Sequence, residues 1–299
     1  MIDHRYQTFL AVSETLSFTA AAQKLGLTQP AVSTHIRSLE EELGVTLINR
    51  DKRALNLTYQ GEILVKYAKR MQSIEDNLQR KIADSKKGVK SLVIGITHTS
   101  ESTIAPEILA YYSRQGRGTY IRIVSDSINN LYDMLSSFQI DLAIIEGNIT
   151  NRKVSSILLD TDSIMAIVSK ENRLSAKRVL TIDDLKKERV ILRNVDSGTT
   201  TLFANSLNKL DMGLEDINAF LELDNVASIK DLVRKNMGIS ALPRSACLDE
   251  IKAGTLVALP IENMSMIRQI SLVYIPGNVQ KEILDNIVGI YREKISEEL

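Results

Sequence analysis

Apolar residues in the stretch 17–44, SFTAAAQKLGLTQPAVSTHIRSLEEELG, recur at helical spacing in two short runs broken at Gly26, a pattern that predicts two helices joined by a tight turn. Thr19 is placed to cap the first, Ala20, Ala21 and Ala22 are small enough for close packing, and Leu25 points inward before Gly26 ends it. Thr28 caps the second. Gln29 and Pro30 fill its first turn, where a proline lacks only an N–H that has no intrahelical partner anyway. Val32, Ile36, Leu39 and Leu43 follow at spacings of four, three and four, which predicts one buried stripe. The opposite face carries Gln29, Ser33, Thr34 and Arg37. Upstream, Tyr6, Phe9, Leu10 and Ser13, with Val12 and Leu16 on the same face, predict a further helix that completes a three-helix core.

Beyond Gly44 the pattern changes. Val45 and Leu47, then Asn49, Arg50, Asp51, Lys52 and Arg53, then Leu55 and Leu57, read as a short basic turn between apolar strands. Thr58 then caps a long helix through about Lys87, in which Leu64, Tyr67, Met71, Ile74 and Leu78 recur at three, four, three, four. That is a heptad seam, and charged residues cover the other faces. Pairing with a twin helix in a dimer is the favoured reading, and packing against a neighbouring domain the alternative.

SKKGVK, residues 85–90, is polar and marks a domain boundary. After it, strands are predicted at 92–97, 120–124 and 141–146, with helices at 104–113 and 128–138 between them. A second set follows: strands at 163–170, 190–193, 217–223 and 239–242, helices near 200–210 and 228–235, then a strand at 270–275 and a helix from about 278 to 297. Alternation of this kind predicts a parallel sheet covered by helices, in two lobes. The last strand and helix are expected to return to the first lobe, which gives lobe I as 90–160 plus 268–299 and lobe II as 161–267.

Composition adds bounds. The 299 residues are 44% hydrophobic and 25% charged, ordinary for a globular protein. No stretch has the roughly 18–20 apolar residues of a membrane helix, and MIDHRYQTF lacks the apolar segment of a secretory signal, so a cytoplasmic protein with no membrane partner is expected. Cys247 is the single cysteine, which excludes an intrachain disulfide and a cysteine-rich zinc site and suggests a buried, inert thiol. The formal net charge of zero conceals a split: residues 1–90 hold 14 Lys+Arg and 10 Asp+Glu, leaving 23 and 27 for the remainder. The positive part contains the helix pair, as phosphate binding requires.

Two sites of chemistry follow. A helix start bearing amide, hydroxyl and guanidinium groups can read base edges in a major groove, although an ordinary pair of amphipathic helices presents a similar polar face. Cations in the basic turn would contact phosphates and set position. In an open α/β sheet, ligands sit at the carboxyl ends of strands. There the chain has THTSEST (97–103), SDS (125–127), SGTTT (197–201) and NVAS (225–228), hydroxyls and helix starts suited to an anion, or simply caps. Glu146 ends a strand, either as a pocket acid or as a solvated one. No nucleophile elbow, phosphate loop or metal-spaced cluster of His, Asp and Glu is found, so neither an enzyme nor a metal or cofactor is expected.

From Phe9 to Gly61 the chain resembles the winged helix-turn-helix of LysR-type transcriptional regulators, through SFTAAAQKLGLTQPAVSTHIRSLEEELGVTLINR, LTYQG at 57–61, and Arg50 and Arg53 at the family's basic wing positions. It departs at Ile48, where Phe usually follows Leu, and at Thr34-His35, where Arg or Gln is common and base preference is at stake. The resemblance implies an all-α winged helix-turn-helix domain (1–60), a linker and dimerisation helix (58–87), and an α/β two-lobed effector domain (90–299) like type 2 periplasmic binding proteins. It implies DNA contacts from Thr19, Thr28, Gln29, Pro30, Ser33, Thr34, Arg37, Arg50, Lys52 and Arg53. Thr97, Thr99 and Ser100 match the first effector loop and Thr199 and Thr200 the second-lobe loop, with His98, Ser127 and Glu146 as further candidates.

The expected protein is therefore a dimeric, further tetrameric, transcription factor on a two-fold symmetric duplex operator. A small anionic metabolite between its lobes would alter DNA occupancy or contact with RNA polymerase. A two-lobed solute binder without gene control and a DNA-tethered enzyme are the competing readings.

Overall fold

The computed structural model describes residues 3–51, 54–115, 119–149, 151–195 and 197–298. They fall into two compact units, the first ending at Gly88 but also taking in Ser137–Gln139, the second holding the remainder.

The N-terminal unit opens with α1 (His4–Thr15), α2 (Phe18–Leu25) and α3 (Gln29–Leu43). A two-stranded antiparallel wing, β1 (Ile48–Asp51) and β2 (Ala54–Leu57), pairs Ile48 with Leu57. Helix α4 (Tyr59–Lys87) follows, capped by Thr58, whose hydroxyl accepts from Gly61 N–H. Phe9, Val12, Ala21, Val32, Ile36, Leu39, Leu47 and Ile48 are buried together, with Leu64 of α4 packed against them. The apolar Ile48 thus fills the core position at the wing's base.

Three expectations change here. Ser17, not Thr19, caps α2: its extended backbone lets Oγ accept from Ala20 N–H at 3.2 Å, while Thr19 is an exposed first-turn residue. Leu16 is 48% exposed because it leaves α1 in the left-handed conformation, φ 47°, which turns it off the helical face. Leu43 is 41% exposed, since α3 ends there at Gly44 and the last turn projects past the core.

The second unit begins with β3 (Lys90–Thr97), α5 (Ala105–Gln115), β4 (Thr119–Asp126), α6 (Ile128–Ser136), β5 (Leu142–Glu146) and β6 (Ser155–Ser169). It continues through α7 (Ile182–Lys187), β7 (Val190–Arg193), α8 (Gly198–Asn208), β8 (Ala219–Leu223), α9 (Val226–Arg234) and β9 (Ile239–Pro243). It closes with α10 (Leu248–Lys252), β10 (Leu256–Leu259), β11 (Ile267–Tyr274) and α11 (Lys281–Glu298).

Strand order is β4-β3-β5-β11-β6-β9-β7-β8, with β10 also on β6. The sheet is mixed, which corrects the parallel expectation: β3 is parallel to β4 and β5, and β7 to β8 and β9, but β11 is antiparallel to β5 and β6, and β6 to β9 and β10. The reason is β6, a single 15-residue strand where the sequence showed only its apolar second half. Its first part, alternating polar and apolar, pairs with β11, and its second part with β9 and β10.

Alternation along the strands divides the cores. Leu92, Ile94 and Ile96 of β3 face α5 and α11, while Val93 faces α6. Val190 and Leu192 of β7 face α8, while Ile191 faces α9. Helices thus cover both sheet faces, and α7, α10 and β10 are short elements the apolar pattern did not reveal. No helix among the described residues is long and apolar enough to cross a membrane.

Two outcomes follow from this packing. A Cβ on Gly61 would lie 2.2 Å from the Leu47 carbonyl oxygen, so Gly61→Ala must push α4 off the wing. A loss of about 1–3 kcal/mol in denaturant unfolding is expected. Cys247 is fully buried and burial pushes its thiol up to about 12, so native protein at pH 8 should resist iodoacetamide and label only after denaturation, as read by mass spectrometry.

Candidate nucleic-acid interface and effector cavity

The α3 start is built by its cap. Thr28 Oγ1 accepts from Ala31 N–H at 3.4 Å, which leaves Gln29 and Pro30 in an exposed first turn. Thr19, Thr28, Thr34 and Arg37 are exposed as well, and Ser33 is half-buried. Gln29 donates to Ser33 Oγ at 3.0 Å and Thr34 donates to the Pro30 carbonyl at 2.9 Å, so both are partly ordered on the helix. Lys52, Arg53 and the side chain of Arg50 lie outside the described residues.

His35 turns away from this face. Its Nδ1 lies 2.9 Å from Thr8 Oγ1 and its ring meets that of His4 edge-on, so it ties α3 to α1. Two positioning residues escaped the sequence reading. Arg5 joins Asp3, Ser38 and Glu42, and Glu40 accepts from the Leu47 and Ile48 N–H groups at 2.8 and 3.3 Å, fixing where the wing starts. The only available signal was a charge at each helix position, which any solvated face shows.

Along α4, Tyr67, Ile74 and Leu78 are 56%, 46% and 58% exposed, Met71 is half-buried, and Ile82 extends the stripe. Leu64 differs, being packed against the N-terminal core. An apolar stripe is thus left exposed on an otherwise charged helix.

In the second unit, strand ends and helix starts enclose a cavity of about 630 Å³. Thr97, His98, Thr99, Ser127, Glu146 and Thr199 all line it. Ser100 and Thr200, expected to do so, stand behind the wall. Ser100 donates to Glu146 from a buried position, and Thr200 donates to the Arg193 carbonyl at 2.9 Å, so each hydroxyl is drawn to an acceptor at a strand end. Of the four loops, NVAS is a cap: Asn225 accepts from Ser228 N–H at 2.9 Å, and neither residue reaches the cavity.

Glu146 is buried, not solvated. It accepts from Thr97 and Ser100, and Arg268 Nη2 lies 4.0 Å away. Arg268 is paired across the β6–β11 register with Asp162 at 3.1 Å, and Asp162 also accepts from Ser245 Oγ at 2.7 Å. Arg193, at the end of β7, donates to Thr99 Oγ1 at 2.6 Å and to Asp224 at 2.9 Å. Both arginines were missed, since a lone arginine in a strand carries no periodic signal and its partners are distant in sequence.

A winged helix-turn-helix, a helix with an exposed apolar stripe and an α/β domain with a cavity at its strand ends define a ligand-responsive DNA-binding protein. Residues 4–62 match the bacterial regulatory helix-turn-helix protein model of the lysR family, and residues 86–295 match the LysR substrate binding domain model. The chain belongs to the LysR family of DNA-binding transcriptional regulators, which are not enzymes and whose substrate-binding domain takes small-molecule effectors.

Among curated relatives, the probable RuBisCO transcriptional regulator of Trieres chinensis is 26% identical over 283 residues, covering 92% of this chain and 91% of that protein. The HTH-type transcriptional regulator CysL of Bacillus subtilis (strain 168) is 28% identical over 271 residues, with 90% of each chain covered. Among solved structures, CbnR in complex with its target DNA superposes with a TM-score of 0.72 at 16% identity, over 98% of this chain and 99% of that one. Full-length BenM gives 0.59 at 23% identity, over 100% and 98%. Both solved likenesses concern the fold.

The buried charges should behave as a unit. Arg268→Met leaves Asp162 unpaired and should destabilise the protein by about 3–5 kcal/mol, and adding Asp162→Asn should restore much of that. Equal and additive losses in denaturant titrations would show the pair to be uncoupled.

Proposed function

We propose that this LysR-family regulator binds a two-fold symmetric duplex operator as a dimer joined along α4, with α3 in the major groove and the basic wing on phosphates. The division is a DNA-binding domain (1–60), a dimerisation helix (58–87) and an effector domain (90–299), the last split into lobe I (90–160 and 268–299) and lobe II (161–267). A small anionic metabolite enters the cavity and acts through its different affinity for two arrangements of the protein. Dimers assemble into tetramers in the cytoplasm, and the output is DNA occupancy or contact with RNA polymerase.

The observation that carries this reading is the exposed first turn of α3, where Gln29 and Pro30 stand clear of the core while Val32, Ile36 and Leu39 are sealed within it. The exposed stripe of Tyr67, Ile74 and Leu78 supports the dimer. Two readers held at fixed separation select half-sites about one or two helical turns apart.

A gel-shift of the full chain with DNA upstream of its own gene tests the proposal. Sequence-specific retardation is expected, weakened by about 1–3 kcal/mol in Arg37→Ala. Ile74→Asp should yield monomers by light scattering. A retardation no stronger than on scrambled duplex, or a wild-type chain that is itself monomeric, would sink this account.

A further inference from the structure

We infer that the effector is a small, singly charged hydroxy acid, one carboxylate on a hydroxylated frame, rather than a multiply charged anion, an amino acid or an apolar compound. This rests on the cavity being the effector site and deepens that reading.

The first support is what the buried wall leaves unpaired. Among the described residues, two buried side-chain atoms of the lining have no hydrogen-bond partner: Nε of Arg268, 7% exposed, and Oγ1 of Thr199, 1% exposed. The first can only donate, and the second donates as readily as it accepts. Thr199 also sits in the first turn of α8, where N–H groups lack intrahelical partners. Each acid of the lining already accepts from the protein. Glu146 accepts from two hydroxyls, Asp224 from Arg193, and Asp126 from Ser127 N–H and Asn130, each at 2.7 Å. The unmet demand is therefore for an acceptor, which a carboxylate supplies and an ammonium does not.

The second support is the charge balance. Lining residues of fixed charge are Arg193 and Arg268 against Asp126, Glu146 and Asp224, two basic and three acidic, with the His98 imidazole as the remaining ionisable group. Arg268 is further offset by Asp162 at 3.1 Å. One ligand carboxylate can be held by oriented donors in such a setting. A second or third negative charge would face these acids while both arginines are already paired within the protein.

The third is the rest of the lining. Asn129, Asn148, Asn205 and Thr201 line the cavity together with the apolar Ile128, Leu202 and Ile267. Amides and hydroxyls recognise hydroxyl groups by paired donation and acceptance, and would be left unsatisfied against an aromatic ring.

The test is isothermal titration calorimetry on the full chain. Glycerate and gluconate represent the singly charged hydroxy acids, citrate and glycerol 3-phosphate the multiply charged ones, with glutamate, benzoate and glucose as the remaining classes. Glycerate or gluconate should bind at least roughly tenfold more tightly than any other class, since glucose lacks the charge-assisted hydrogen bonds, benzoate and glutamate lack the hydroxyl contacts, and citrate and glycerol 3-phosphate bring extra charge. Thr199→Val should weaken that binding roughly tenfold with an unchanged melting temperature of the ligand-free protein. Arg268→Lys, which keeps the charge beside Asp162 but removes Nε, should weaken it similarly.

The inference is overturned if citrate or glycerol 3-phosphate binds most tightly, if glucose, glutamate or benzoate equals the hydroxy acids, if neither variant changes their affinity, or if neither hydroxy acid binds at millimolar concentration. Tight citrate binding that Thr199→Val weakens would defeat the ligand class while leaving the cavity as the effector site. The gel-shift is independent of either result.

Discussion

Charge buried beside the cavity constrains the second unit more than any other feature. Glu146, Asp162, Arg193 and Arg268 are each less than a tenth exposed, and an isolated ion in that setting would be strongly destabilising. Each is therefore held by partners from distant parts of the chain. Asp162 lies where β6 passes from pairing with β11 to pairing with β9, so the strand register that builds the sheet also brings Arg268 to it. Glu146 ends β5 and receives the hydroxyls of Thr97 and Ser100, which fixes the turn that leaves β3. The cavity floor is thus a consequence of charge compensation, and its shape follows from the sheet.

The same compensation ties the loops around the cavity together. Arg193 spans from β7 to Thr99, joining loops that leave two different strands. Because it also meets Asp224, its charge is partly spent within the protein. What remains along the cavity wall is a small set of donors among amide, hydroxyl and apolar side chains.

The N-terminal unit is arranged on the opposite principle. Its core of Phe9, Val32, Ile36, Leu39, Leu47 and Ile48 is apolar and closed, and polar groups are kept for the caps and the outer face. Glu40 and Arg5 are the exceptions, and both hold elements in place: one anchors the wing strand to α3, the other ties α1 to the same helix. Helix α4 shares its first turns with that core and then runs on with Tyr67, Ile74 and Leu78 in water, an arrangement that hydrophobic burial disfavours for a lone chain.

The sequence by itself determined the elements whose signal is local. Periodicity marked α1, α3 and α4, Thr28 and Thr58 marked helix starts, and apolar runs marked β3, β5, β7 and β9. Where a local signal was ambiguous, tertiary packing chose. Ser17 rather than Thr19 became the cap, Leu16 and Leu43 stayed in solvent, and the polar half of β6 became a strand because β11 lay beside it. That one strand turned an expected parallel sheet into a mixed one. In the cavity, hydroxyl-rich loops pointed to Thr97, Thr99, Ser127 and Thr199, while Arg193 and Arg268 had no pattern to betray them. A helix cap or a stripe is decided within a few residues of itself, but a buried ion pair is decided by partners a hundred residues away, and only the folded chain brings those together.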